Sequence, residues 1–317
     1  MRVLITGASG FVGEAVVRQL LLESNTRVRG ALRRESALLS DGAEQAIVAD
    51  LSSTTEWSRA VADVDVVVHT AARVHVMRET ASDPLTEFRR VNVEGTLNLA
   101  RQAAAAGTRR FIFLSSIKVN GEQTLPGRPY TADDPPAPRD SYGQSKQEAE
   151  AGLQRLSEET GIELVIIRPV LVYGPGVKGN FKSMMRLLET GVPLPLGAIH
   201  NRRSLVALDN LVDLITACLR HPRAASQTFL VSDGEDLSTT DLLRRMSDAM
   251  RVPARLFPVP VSLMTSSARL VGKANIAQRL FGSLQVDISK TRTLLDWSPP
   301  HGVDASLRKA ASTSGDG

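Results

Sequence analysis

Three side chains able to move a proton stand at informative places in this chain: Ser116, Tyr142 and Lys146. In Tyr142-Gly143-Gln144-Ser145-Lys146 a phenol and an ammonium are four residues apart, which puts both on one face of a helix. A free phenol, with a pKa near ~10, is a poor base at neutral pH. A cation one turn away stabilises the phenolate, so that it can take a proton from a hydroxyl or give one back. Ser116 closes the run Phe113-Leu114-Ser115-Ser116 and is suited to hydrogen-bond the same hydroxyl. Tyrosine and lysine meet at this spacing by chance in many helices. The trio gains meaning only if a fold brings its members together.

The N-terminal run Val3-Leu4-Ile5-Thr6-Gly7-Ala8-Ser9-Gly10-Phe11-Val12-Gly13 points to such a fold. It reads as a strand, a turn and the start of a helix. Gly7, Gly10 and Gly13 form G-x-x-G-x-x-G rather than G-x-G-x-x-G, with similar physics. Backbone amides approach a pyrophosphate closely, and the helix N-terminus adds a favourable field. Phe11 and Val12 complete this cofactor-binding turn, and Lys146 is placed to hold a nicotinamide ribose. An acid that would bind the ribose 2′-hydroxyl of NAD is absent from Gly30-Ala31-Leu32-Arg33-Arg34. Arg33 and Arg34 suit a 2′-phosphate instead, which favours NADP over NAD. Asp50-Leu51 follows the third strand, within reach of an adenine.

The elements that must position these residues alternate. Strands are predicted at 3–6, 27–32, 45–49, 64–69, 110–114 and 163–167, with helices notably over 83–106 and 141–160. Runs of β-branched residues without strict alternation imply a parallel sheet buried on both faces. The expected fold is α/β, a Rossmann-like doubly wound parallel sheet in the order 3-2-1-4-5-6. Ser116 then lies at the carboxyl edge, where ligands bind in open sheets. Beyond Arg168-Pro169 the chain is broken by Gly174-Pro175-Gly176, Gly191-Val192-Pro193 and Pro258-Val259-Pro260. This divides it into a dinucleotide-binding domain over 1–170, a smaller α/β substrate lobe over 171–310 and a flexible tail over 311–317. Thr228-Phe229-Leu230-Val231 is a candidate strand returned to the main sheet.

Composition excludes several classes. The 317 residues carry a net charge of only +4, without long basic runs, so no nucleic-acid partner is expected. No apolar run approaches the ~20 residues of a membrane helix. The single cysteine, Cys218, reads as a core thiol, and no Cys/His cluster has metal-binding spacing. With the first strand starting by residue 3, no signal peptide is expected, and the compartment is read as cytoplasmic.

Further motifs carry a resemblance. Thr70-Ala71-Ala72, Asn92-Val93-Glu94-Gly95-Thr96, Arg168-Pro169, Val172-Tyr173-Gly174-Pro175-Gly176, Arg203-Ser204-Leu205-Val206 with Asp209, and Asp287-Ile288-Ser289-Lys290 before Leu295-Asp296-Trp297-Ser298-Pro299 recur in order. Together they resemble the extended short-chain dehydrogenases/reductases of the NAD-dependent epimerase/dehydratase type, over residues 1 to about 300. The resemblance implies cofactor contacts at Thr70, Ala71, Ala72, Asn92 and Pro169. It implies a UDP-linked sugar held by Ser116, Tyr142, Asn180 and Arg203. It also implies a homodimer through the helices at 85–106 and 141–160. Departures are Val119-Asn120-Gly121 where Val-Tyr-Gly is usual, Lys118 where 4-epimerases often keep a small hydroxylated residue, and the missing second-strand acid. Ala72–Met77 and Ser116–Gly121 resemble UDP-N-acetyl-quinovosamine dehydrogenases. The first expectation is therefore hydride transfer at C4 of a UDP-4-keto-6-deoxy-N-acetylhexosamine, for cell-surface polysaccharide precursors. UDP-hexose 4-epimerisation is the alternative, and reduction of a non-sugar ketone a lesser one. His75 and Arg78 stand in a loop able to cover a sugar.

Overall fold

The computed structural model describes residues 1–36, 39, 42–74, 83–125, 127–270 and 274–312. His75, Met77 and Arg78 lie outside them. Seven strands form the main sheet among the described residues: β1 (Arg2–Thr6), β2 (Arg27–Leu32), β3 (Glu44–Ile47), β4 (Val66–His69), β5 (Arg110–Leu114), β6 (Glu163–Pro169) and β9 (Gln227–Val231). Their order is β3-β2-β1-β4-β5-β6-β9, and every pair is parallel. This is the expected Rossmann-like order with β9 added beside β6.

Side-chain alternation along buried strands feeds two separate cores. Val3, Ile5, Val66, Val68, Ile112, Val165 and Ile167 face α1 (Phe11–Leu21) and α7 (Leu208–Arg220). Leu4, Val67, Phe111, Phe113, Leu164 and Ile166 face α4 (Thr96–Ala105) and α5 (Ser141–Thr160), with Leu99 and Leu153. Cys218 is buried in the first core.

The helix predicted over 83–106 is built in three pieces. Asp83 caps α3 (Pro84–Phe88) by accepting from the amides of Leu85 and Thr86 at 3.1 and 3.3 Å, with proline at the first helical position. A π-helical stretch, Arg89–Gly95, then leads into α4. After β6 the chain forms β7 (Leu171–Tyr173), α6 (Gly179–Glu189), β8 (Arg203–Ala207), β10 (Asp236–Leu237) and α8 (Thr239–Met250). The order β10-β8-β7 makes a small sheet, covered by Phe181, Met185, Leu243, Met246 and Leu307. Helices α9 (Val261–Leu270), α10 (Ala274–Phe281), α11 (Ser289–Leu295) and α12 (Val303–Ser312) complete the chain. Ala311 and Ser312, expected in the flexible tail, instead finish α12; residues 313–317 lie outside the described ones. Among the described residues no helix is long and apolar enough to cross a membrane.

Candidate active site

The glycine turn owes its shape to close backbone approach. Gly7 has φ +67°, and a Cβ on it would stand 2.8 Å from Thr70 Oγ1. A Cβ on Gly13 would stand 2.1 Å from the Gly7 carbonyl oxygen, so α1 can start only without it. The Gly10 amide donates to Gly7 O at 2.8 Å, and Gly10 is the N-cap of α1 without a side-chain cap. The first turn of α1 therefore has no side-chain cap, which leaves its amides available as an anion site requires.

From this turn a crevice of about 890 Å³ runs along the carboxyl edge of the sheet, a size fitting a bound organic cofactor. It is lined by Gly7, Gly10, Phe11, Val12 and Gly13, then by Arg33, Asp50 and Leu51 at the ends of β2 and β3. Thr70, Ala71, Ala72, Ser116, Tyr142, Lys146 and Pro169 line it further on. Arg33 donates to Asp50 at 3.2 Å, with both side chains exposed. Among the described residues no cluster of three or more His, Cys, Asp or Glu could hold a metal ion.

The reactive end is set by the start of α5. Asp140 caps it, accepting from the Gly143 amide at 2.7 Å, which places Tyr142 in the first turn. Tyr142 meets Phe88 edge-on, with ring centroids 6.0 Å apart, and receives a hydrogen bond from Ser116. Burial and the Asp140 carboxylate push the phenol above its ordinary pKa, and the Ser116 hydrogen bond opposes them. Lys146, one turn on, donates to Leu114 O at 2.8 Å and lies 4.4 Å from the Phe113 ring centre. Burial lowers its ammonium to about 7, against the opposing pull of Glu150. Glu150 is itself buried and held by Arg168 through two hydrogen bonds of 3.0 and 2.5 Å, with Ser115 donating as well. His69 is bound to Thr6 at 2.7 Å and Thr96 at 2.9 Å. Burial first, and Lys146 second, hold it neutral with a pKa of about 3.

Four expected contacts stand outside the crevice lining: Arg34, Asn92, Asn180 and Arg203. Arg34 is exposed and, unlike Arg33, is not part of the crevice lining. Asn92 is buried; it donates to Arg73 O and Ser145 Oγ at 3.0 Å and accepts from the Arg73 amide at 2.8 Å. It thereby ties the segment after β4 to α5. Asn180 is exposed near the start of α6. Arg203 opens β8 and donates to Gly282 O at 3.0 Å. Arg90 lines the crevice without having been singled out by any motif, and so does Arg73, which the sequence marked only as part of the Ala72–Met77 resemblance. Glu150 was legible in principle, since it follows Lys146 by one helical turn on the same face.

A model of the NAD dependent epimerase/dehydratase family matches residues 3–232. A UDP-glucose 4-epimerase of Vibrio cholerae is 48% identical over 310 residues, covering 98% of this chain and 94% of that protein. A 3-beta-hydroxysteroid dehydrogenase of Mycolicibacterium neoaurum is 30% identical over 77% of this chain and 68% of its own length. In structure, a UDP-glucuronic acid 4-epimerase from Bacillus cereus in complex with NAD superposes with a TM-score of 0.80. It has 21% identity and covers 99% of this chain and 98% of that one.

Proposed function

The chain belongs to the NAD dependent epimerase/dehydratase family, and from that premise we propose that it is a UDP-hexose 4-epimerase that keeps its NAD through turnover. The near full-length likeness to the Vibrio cholerae 4-epimerase carries this reading and ranks it above the C4 reductase first expected from Ala72–Met77 and Ser116–Gly121. NAD is preferred to NADP because the arginine pair expected to clamp a 2′-phosphate is not assembled. Arg34 stands outside the crevice lining, and the Asp50 carboxylate beside Arg33 would repel a second anion.

In this reading the amides of the Gly7–Gly13 turn hold the pyrophosphate. Arg33, Asp50 and Leu51 flank the adenosine, and Thr70, Ala71, Ala72 and Pro169 flank the remainder. The bound cofactor supplies a reversible hydride acceptor. Ser116 orients the C4 hydroxyl. Tyr142 takes the hydroxyl proton and returns it once the opposite face of the carbon has been presented. Lys146 supplies the positive charge that the phenolate needs, at a pKa that leaves it exchangeable near neutrality. Asn180 and Arg203, on the smaller lobe, serve the nucleotide-sugar diphosphate. A cytoplasmic homodimer through the helical segments at 85–106 and 141–160 accompanies this proposal; the mass of the protein in solution tests the homodimer.

The functional test uses the purified protein with UDP-glucose, UDP-galactose and their N-acetyl counterparts, without added cofactor. Interconversion at C4, with NAD released on denaturation and identified by mass spectrometry, is expected. Stoichiometric consumption of added NADPH on a UDP-4-keto sugar, with no interconversion, would overturn the proposal in favour of the reductase.

A further inference from the structure

Lys118 is the departure that the catalytic trio does not absorb. It sits in the 3₁₀ turn Ile117–Val119, directly after Ser116. Its ammonium pairs with Asp140, the cap of α5, and donates to Glu122 Oε1 at 3.3 Å. The Lys118 and Asp140 side chains are only 29% and 26% exposed, so solvent screens the pair incompletely. The backbone is fitted to the same contact. A Cβ on Gly143 would stand 2.8 Å from Lys118 O and 3.2 Å from Asp140 Oδ1. The glycine beside Tyr142 is thus what lets the 3₁₀ turn lie against the first turn of α5.

Resting on the epimerase reading, we propose that Lys118 is a positioning residue for the Tyr142 phenol: it clamps the cap of α5 and cancels the carboxylate charge standing there. The charged groups around the phenol can be named. Asp140 and Lys146 come from α5, Lys118 and Glu122 from the segment after β5. Arg73 comes from the segment after β4 and lies 5.7 Å from the centre of the Phe88 ring that meets Tyr142. Asp140 raises the phenol, so an unopposed Asp140 would hold it protonated at higher pH.

The experiment is a phenolate absorbance titration of the NAD-loaded protein, with Tyr142→Phe subtracted, for Lys118→Met, Lys118→Arg, Asp140→Asn and the double variant Lys118→Met/Asp140→Asn. Asparagine caps helices as well as aspartate does, so charge is separated from capping. Lys118→Met should move the midpoint up by roughly half to one pH unit, a three- to tenfold change in phenolate at fixed pH. Lys118→Arg should stay near the parent, and Asp140→Asn should fall below it. The double variant should return to the parent. A double variant that matches Asp140→Asn alone, or a Lys118→Met midpoint that does not move, overturns the proposal. If Lys118→Met fails to fold, a parent midpoint retained by Asp140→Asn overturns it equally. The titration needs no sugar, so moved midpoints in a protein that epimerises nothing would keep this inference and sink the epimerase reading.

Discussion

Tyr142 presents an opposition of forces that its side chain cannot settle alone. Burial and Asp140 hold the phenol protonated, and the Ser116 hydrogen bond favours the phenolate. Tyr142→Phe keeps the ring against Phe88 and removes only the oxygen. We expect turnover to fall by roughly 10²–10⁴-fold, the usual worth of a positioned acid–base group, with NAD content unchanged. Steady-state rates and nucleotide analysis of the purified variant check this; a rate near the parent's would remove Tyr142 from the chemistry. At this scale the sequence was eloquent about Tyr142 and Lys146, because i, i+4 spacing is a local property. It was silent about Arg90, and it treated Arg33 and Arg34 alike. Only the tertiary structure separates those two: Arg33 lines the crevice and Arg34 does not.

Among the elements, the β1–turn–α1 unit was readable from three glycines, and its close contacts explain why no other residue serves. The break between α3 and α4 was not readable, because a π-helical stretch keeps helical periodicity while shifting its phase. That stretch carries the Asn92 that binds Arg73 and Ser145. His69 joins β4 to β1 and α4, and its burial has a pH consequence. Its pKa drops from 6.5 unfolded to about 3 folded, so the folded state binds fewer protons across that window. Its contribution is intact above about 6.5 and is lost progressively as pH falls toward 3, by up to about 1.4 kcal/mol per pH unit. His69→Asn should be less stable than the parent at neutral pH yet show a shallower acid slope. Denaturant unfolding at a series of pH values reads both, and an unchanged slope would refute the argument.

Across the whole molecule, one buried ion pair ties three elements behind the reactive end. Arg168 at the end of β6 grips Glu150 of α5 and donates to Asn120 Oδ1 at 3.0 Å. Ser115 at the end of β5 donates to the same carboxylate. Arg168→Met leaves a buried carboxylate without its cation and should cost about 3–5 kcal/mol, read as a lowered unfolding midpoint. Adding Glu150→Gln to Arg168→Met should recover part of that loss. A double variant no more stable than Arg168→Met would show that shape, not charge, sets the cost.

The sequence alone determined the alternating parallel fold, the glycine turn and the phenol–ammonium spacing, since each depends on residues within a turn or two of one another. Tertiary structure decided which distant side chains share the crevice, which stand apart from it, and how far each proton is held from its ordinary pKa. Those outcomes follow from burial and from charges brought close by the sheet order, and neither is a function of spacing along the chain.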